Sequence, residues 1–173
     1  MKNKVELLCP AGNIQSFKAA CQNGADAIYM GVDRFNARAM AKNFTINEYV
    51  DCIKYAHIRN IKVYLTLNTL LYDEEIKDAL EVVKSLYECG LDAVILQDLG
   101  LATLVHKMLP DLHLHASTQM SVYSLEQVKY LEKLGFSRVV LARELTVSEI
   151  EYICKNCNVE IEVFVHGALC VCV

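Results

Sequence analysis

The residues able to do chemistry gather at the end of the chain and in a series of short polar steps before it. Glu160, Ile161, Glu162, Val163, Phe164, Val165 and His166 alternate as a strand, with Glu162, Phe164 and His166 on one face. Gly167 and Ala168 then allow a tight turn that delivers Cys170 and Cys172. A strand carrying a carboxylate and a histidine into a thiol-bearing loop is one edge of an active site. Cys170, behind that turn, is the candidate for a reactive or metal-bound thiol, with inert packing as the alternative.

Equivalent polar groups follow six earlier apolar runs. They are Pro10 to Asn13, Gly31 with a loop holding Arg34, Asn36 and Arg38, Asn68 and Thr69, Gln97 and Asp98, Ser117 to Gln119, and Arg143 with Glu144. Helix caps explain Asn13, Thr69 and Ser117, because short polar side chains satisfy the first amides of a helix. Caps do not require long charged groups of both signs. Arg38, Asp98, Gln119, Arg143, Glu144 and His166 are therefore the candidate catalytic residues, with the arginines as holders of anionic groups and Asp98, Glu144 or His166 as proton carriers. Glu6 and Glu162 lie inside apolar runs, where a buried carboxylate needs a cation such as Arg143 or Arg38.

The elements that must position these groups are regular. Seven strands are predicted, at Val5–Cys9, Ala27–Val32, Lys62–Asn68, Ala93–Gln97, Leu112–Ala116, Arg138–Ala142 and Glu160–His166, six of them followed by a helical pattern. Unbroken apolar runs such as Ala93 to Leu96 and Val139 to Leu141 suit parallel strands covered on both faces. Thr45 with Glu48, Ser124 with Gln127 and Thr146 with Glu149 form capping boxes, and Asp73 is read as the cap of a further helix. Gly24, Gly90 and Gly135 recur where a helix ends and a buried strand begins. Repeated strand–helix units imply an α/β fold with a parallel sheet, either an open doubly wound sheet or, as favoured here, a (β/α)-barrel of the TIM type. No Gly-x-Gly-x-x-Gly follows the first strand, so the dinucleotide fingerprint is absent. A complete barrel has eight units and about 250 residues. The expectation is one (β/α)-barrel domain over residues 1–173, incomplete at about seven strands and six helices.

The 173 residues are 54% hydrophobic and 22% charged, with 17 Lys and Arg against 21 Asp and Glu for a net charge of −4. That composition is globular, and it lacks the overall basic footprint of a stand-alone nucleic-acid binder. No apolar run approaches the ~20 residues of a membrane span. The eight cysteines are scattered through apolar patterns without a signal peptide, which predicts reduced thiols in a cytoplasmic protein. Cys9, Cys21, Cys52 and Cys89 are expected in the core. Cys154, Cys157, Cys170 and Cys172 make only a weak zinc pattern. His113 and His115 share one strand face without a third ligand, and His57 and His106 are expected on helix surfaces.

Several of these stretches together carry a resemblance. They are Glu6 to Gly12, Gly24 to Gly31, Asn68 to Leu70, Asp98 to Gly100, Ser117 to Gln119, Leu141 to Leu145, and above all Glu162, Phe164, Gly167, Ala168, Leu169 and Cys170. The last set follows the spacing Glu-x-Phe-x-x-Gly-(Ser/Ala)-aliphatic-Cys. The chain resembles the collagenase-like peptidase family U32 from its first strand to its last residue, and the resemblance implies a TIM-like barrel. It further implies one of two activities: oxygen-independent hydroxylation of tRNA (with prephenate as co-substrate), of 23S rRNA or of a quinone ring, or hydrolysis of peptides. In some relatives four cysteines hold a 4Fe–4S cluster. Cys170 matches the first ligand, and the others would fall beyond Val173, so the expected site is truncated within the family signature. The readings carried forward are an RNA-hydroxylating enzyme or its N-terminal part, a peptidase with Cys170 as nucleophile and His166 or His115 as base, and a non-catalytic piece completed by a second subunit.

Overall fold

The computed structural model describes residues 5–36 and 44–167. Arg38, Cys170 and Cys172 lie outside them. Seven strands pair in chain order, all parallel: β1 Leu8–Pro10, β2 Ala27–Gly31, β3 Lys62–Leu67, β4 Ala93–Leu96, β5 His113–Ala116, β6 Phe136–Val140 and β7 Glu160–Glu162. Between them run α1 Ile14–Gln22, α2 Ile46–His57, α3 Asp73–Glu88, α4 Leu99–Met108, α5 Leu125–Lys133 and α6 Val147–Asn156, with a 3-10 turn at Thr118–Met120 after β5. This is the TIM-type wall expected from the sequence, with seven strands and six helices. The strand bounds differ from the predicted ones most at β1, β6 and β7, and β1 begins three residues later than predicted, at Leu8. β6 begins two residues earlier than predicted, and β7 ends at Glu162, so His166 lies in a bend beyond the strand.

The helix starts follow the capping chemistry. Thr45 Oγ1 accepts the Glu48 amide, and Ser124 and Thr146 do the same for Gln127 and Glu149, each such cap contributing about 1 kcal/mol. Asp73 is not a cap. It is the first residue of α3, and the Glu75 carboxylate instead accepts the Tyr72 amide at 2.9 Å. The recurring glycines Gly24, Gly90 and Gly135 have φ of +90°, +98° and +93°, where a Cβ would be strained. Two residues after the first two glycines, Asp26 and Asp92 accept the amides of Leu7 and Val63 at 2.9 and 2.7 Å. The repeat thus fixes each new strand to its predecessor.

Side chains divide by strand face. Ile28, Met30, Val63, Leu65, Val94, Leu96, Leu114 and Val139 pack outward beneath the helices in one large core. A second, small cluster of Ala27, Tyr64, Ala93 and Ile95, flanked by Leu8 and Tyr29, fills the interior of the wall. Cys52 joins the outer core, while Cys89, expected there, is exposed at the end of α3, beyond the last apolar turn.

Among the described residues β7 does not pair with β1, so the wall has a seam. A register shift between β5 and β6 bears on it. Leu114 faces Phe136, but His115 faces Arg138, leaving Ser137 as the extra residue. Such a bulge re-aims the side chains that follow it. Phe136 and Val139 both join the outer core, and Arg138 turns inward with only 9% of its side chain exposed. Its Nη1 donates to Glu6 Oε1 at 2.7 Å, its Nε and Nη2 donate to Glu160 Oε2 at 2.8 and 2.5 Å, and Glu162 Oε2 lies 3.5 Å from Nη1. Glu6 precedes β1 and Glu160 opens β7, so one guanidinium ties both edges of the seam. The cation predicted for Glu6 and Glu162 was Arg143 or Arg38; the structure supplies Arg138. Breaking a buried ion pair from one side costs about 3–5 kcal/mol because the remaining charge is stranded. Arg138→Ala should therefore lower the unfolding free energy obtained from urea denaturation by up to that amount, and an unchanged free energy would show that Arg138 does not hold these strands together.

Candidate active site

The strand C-termini surround a pocket of about 210 Å³, the end of a parallel barrel where function resides. Pro10 at the end of β1 with Ala11 and Gly12 after it form one side, and Thr66 near the end of β3 and Asn68 just after it add to the lining. Ser117, Thr118 and Gln119 come from the turn after β5, and Glu162 and Phe164 from β7 and its extension. Tyr29 and Ile95 close it from below as part of the interior cluster. Gly31 is required here: a Cβ on it would stand 2.9 Å from the Asn36 side chain, which is buried, lines the pocket and donates to the Val32 carbonyl. Phe35, at φ +63°, makes the left-handed step that brings Asn36 there, a costly conformation for an aromatic residue.

The candidate residues named from the sequence divide into three groups. Gln119 lines the pocket, and its carbonyl accepts from Gln97 Nε2 at 3.4 Å. Asp98 lies outside the pocket lining and caps α4, accepting the Leu101 amide at 2.8 Å and the Leu71 amide at 3.3 Å. Arg143 is half-buried, its guanidinium 5.0 Å above the Phe164 ring and donating to the Gly167 carbonyl at 2.9 Å. It therefore holds the segment that brings Phe164 to the pocket. Glu144 is exposed and hydrogen-bonds Tyr123, and His166 is exposed beyond β7. Neither lines the pocket. Arg38 and Cys170 fall outside the described residues. Among those that are described, no group of three His, Cys, Asp or Glu could hold a metal ion, so the described residues do not supply a ligand set for a cluster. No helix among them is long and apolar enough to cross a membrane.

Beneath the mouth lies an ionic floor that the sequence reading did not assemble. Tyr64 Oη donates to Glu6 Oε1 at 2.9 Å, and its ring takes the His115 ring edge-on at 4.8 Å. His115 is buried with Nδ1 unpartnered among protein groups, and burial, reinforced by Arg138, His113 and Lys62, pushes its pKa down to about 2, so it is neutral. Burial works against the Glu6 carboxylate, but bonds from Arg138 and Tyr64 outweigh it and hold its pKa below the ordinary value. Glu162 goes the other way. Burial raises it, the charges of Glu6 and Glu160 add to that, and Arg138 opposes without prevailing. The sequence signal for this floor was present in Glu6 and Glu162. The partner was hidden because Arg138 was read at the start of an apolar strand whose bulge no pattern revealed.

The family model of peptidase family U32 matches residues 12–173. The 23S rRNA 5-hydroxycytidine C2501 synthase of Escherichia coli is 40% identical over 98% of this chain and 25% of its own length. The tRNA hydroxylation protein P of Helicobacter pylori is 40% identical over 97% of this chain and 40% of its own length. The collagenase of Porphyromonas gingivalis is 32% identical over 99% of this chain and 44% of its own length. The chain thus spans between a quarter and less than half of these relatives. A solved U32 peptidase shares the fold with a TM-score of 0.76 at 16% identity, over 94% of this chain and 69% of that one.

Asp98 offers a clean separation of cap from chemistry. Asp98→Ala should cost about 1–2 kcal/mol in urea unfolding, the range of a lost helix cap, while Asp98→Asn, which keeps the oxygen for the Leu101 amide and loses only the longer bond from Leu71, should cost less. Activity lost in Asp98→Asn at unchanged stability would give the residue a role in the reaction instead.

Proposed function

The chain belongs to peptidase family U32, and from that premise we propose that it is the barrel part of an RNA-modifying enzyme that hydroxylates a pyrimidine of tRNA or 23S rRNA. The observation that carries this is the mouth pocket taken with the relatives. Proteins named for tRNA and 23S rRNA hydroxylation align with nearly the whole chain, and residues from the motif stretches at Pro10 to Gly12, Tyr29 to Gly31, Asn68, Ser117 to Gln119 and Glu162 with Phe164 line one small pocket. Its described lining sets the polar side chains of Asn68, Ser117, Gln119 and Glu162 beside the rings of Tyr29 and Phe164. A flipped nucleobase is held by that chemistry, with hydrogen bonds to its edge and stacking on its faces.

In this reading Asn68, Ser117 and Gln119 orient the base, Phe164 stacks on it, and Arg143 keeps Phe164 in place. A 4Fe–4S cluster with Cys170 as one ligand, and prephenate as co-substrate, belong to the proposal through the family resemblance; no step is routed through either. An RNA substrate also places the work in the cytoplasm. The peptidase reading draws on the collagenase of Porphyromonas gingivalis and an uncharacterized protease of Methanocaldococcus jannaschii, 42% identical over 98% of this chain. It has less support among the named relatives, more of which are named for RNA hydroxylation.

Deleting the gene should remove one hydroxylated pyrimidine from the nucleosides of digested total tRNA or rRNA, with its counterpart one oxygen lighter accumulating in mass spectra. An unchanged nucleoside profile together with lost gelatin hydrolysis would replace this reading with the peptidase one.

A further inference from the structure

The floor of the barrel contains more carboxylate than its cations can neutralise. Glu6, Glu160 and Glu162 all reach Arg138, and Lys62 adds a second cation 3.5 Å from Glu6. Glu160 and Lys62 are largely exposed, at 68% and 57% of their side chains, so water bears most of their charge. Inside remain two carboxyls, Glu6 and Glu162, and one guanidinium. Tyr64 and the neutral His115 are the other titratable groups packed against them.

That guanidinium is not shared equally. Its Nη1 stands 2.7 Å from Glu6 and 3.5 Å from Glu162, and Glu6 also receives the Tyr64 hydroxyl. Two half-buried carboxyls competing for one cation do not ionise equally easily, and the less supported one holds its proton more strongly. Glu162 is the less supported, and of the two it alone lines the mouth pocket. Its position therefore joins a carboxyl whose hold on its proton is strengthened by burial and by the neighbouring carboxylates to the space where a substrate would bind.

We propose that Glu162 is the proton-exchanging group of the mouth pocket, protonated at rest because Glu6 occupies Arg138, and converted to a carboxylate facing Arg138 when it gives its proton to the substrate. The step is a proton transfer alone. The Glu162 O–H bond breaks, an O–H or N–H bond forms on the substrate, and no electron pair changes owner between oxidant and reductant. Arg138 stabilises the carboxylate left behind, and water at the mouth returns the proton. Glu6, Tyr64 and Arg138 act as positioning residues, because they set the state of Glu162 without lining the pocket. The identity of the proton acceptor rests on the RNA reading above; the resting protonation of Glu162 does not.

Two measurements test the two halves separately. Infrared difference spectra of the purified chain, wild type minus Glu162→Gln at neutral pH, should contain the C=O stretch of a protonated carboxyl. That band should fade only as pH rises above the ordinary carboxylate range, and it should be lost in Glu6→Gln, where Arg138 is released to Glu162. Absence of the band in the wild type, or its persistence in Glu6→Gln, overturns the proposal. Should Glu162→Gln not fold, titration of the wild-type band and its loss in Glu6→Gln carry the same decision. In cells lacking the gene, Glu162→Gln should restore the hydroxylated nucleoside about 100-fold less well than wild type, the scale of a lost acid–base catalyst. Full restoration by Glu162→Gln overturns the exchange role. A deletion strain whose nucleosides never change sinks the RNA reading instead, and leaves the infrared result to decide the state of Glu162.

Discussion

A parallel wall of seven strands has two edges, and the interaction on which the rest depends is the one that brings them together. Backbone hydrogen bonds join each strand to the next from β1 to β7, but among the described residues none joins β7 to β1. Arg138 spans that gap with a planar fork, Nη1 toward Glu6 before β1 and Nε with Nη2 toward Glu160 on β7. Lysine, a point charge, would not hold both edges in fixed relation. The arrangement also depends on one irregular residue. Without the extra Ser137 in β6, strict alternation from Phe136 would turn position 138 outward, into the apolar layer under the helices.

Closing the seam in this way separates the interior into two electrostatic zones. The floor concentrates charge around Arg138, with the Tyr64 ring 5.4 Å from its guanidinium and the neutral His115 packed edge-on against that ring, and Glu162 alone of its carboxyls reaches the pocket above. The mouth is lined by amides, hydroxyls, rings and apolar side chains together with the Glu162 carboxyl, so a bound ligand meets directional hydrogen bonds and one ionisable group.

How much of this was legible follows from periodicity. The outward residues of each strand and the caps Thr45, Ser124 and Thr146 repeat at fixed spacing, so the seven parallel strands and six helices could be read directly. The glycine steps at 24, 90 and 135 could be read too, since only a left-handed backbone explains their recurrence at helix ends. The site was legible as a rim, because polar residues follow every strand, but not as a pocket. Asp98 follows its strand as conspicuously as Gln119 does, yet its carboxylate is turned to the first amides of α4. Glu144 and His166 also belong to the rim by position and face solvent. Type and spacing identify which residues stand near a strand end; which of them turn inward is decided by backbone steps such as the left-handed Phe35 and the bulge at Ser137.

The same cation therefore carries two loads that cannot be separated by substitution. If Arg138 were to favour Glu162 over Glu6, the mouth would gain a permanent carboxylate, and the strand edge at Glu6 would lose its anchor. Because Glu6 is held more tightly, by 2.7 Å against 3.5 Å, and is further secured by Tyr64, the contact to the residue before β1 takes precedence and Glu162 is left with the weaker claim on Arg138. That preference in the floor is the condition for the proton proposed on Glu162, which ties the proposed chemistry of the pocket to the cation that links the segments at β1 and β7.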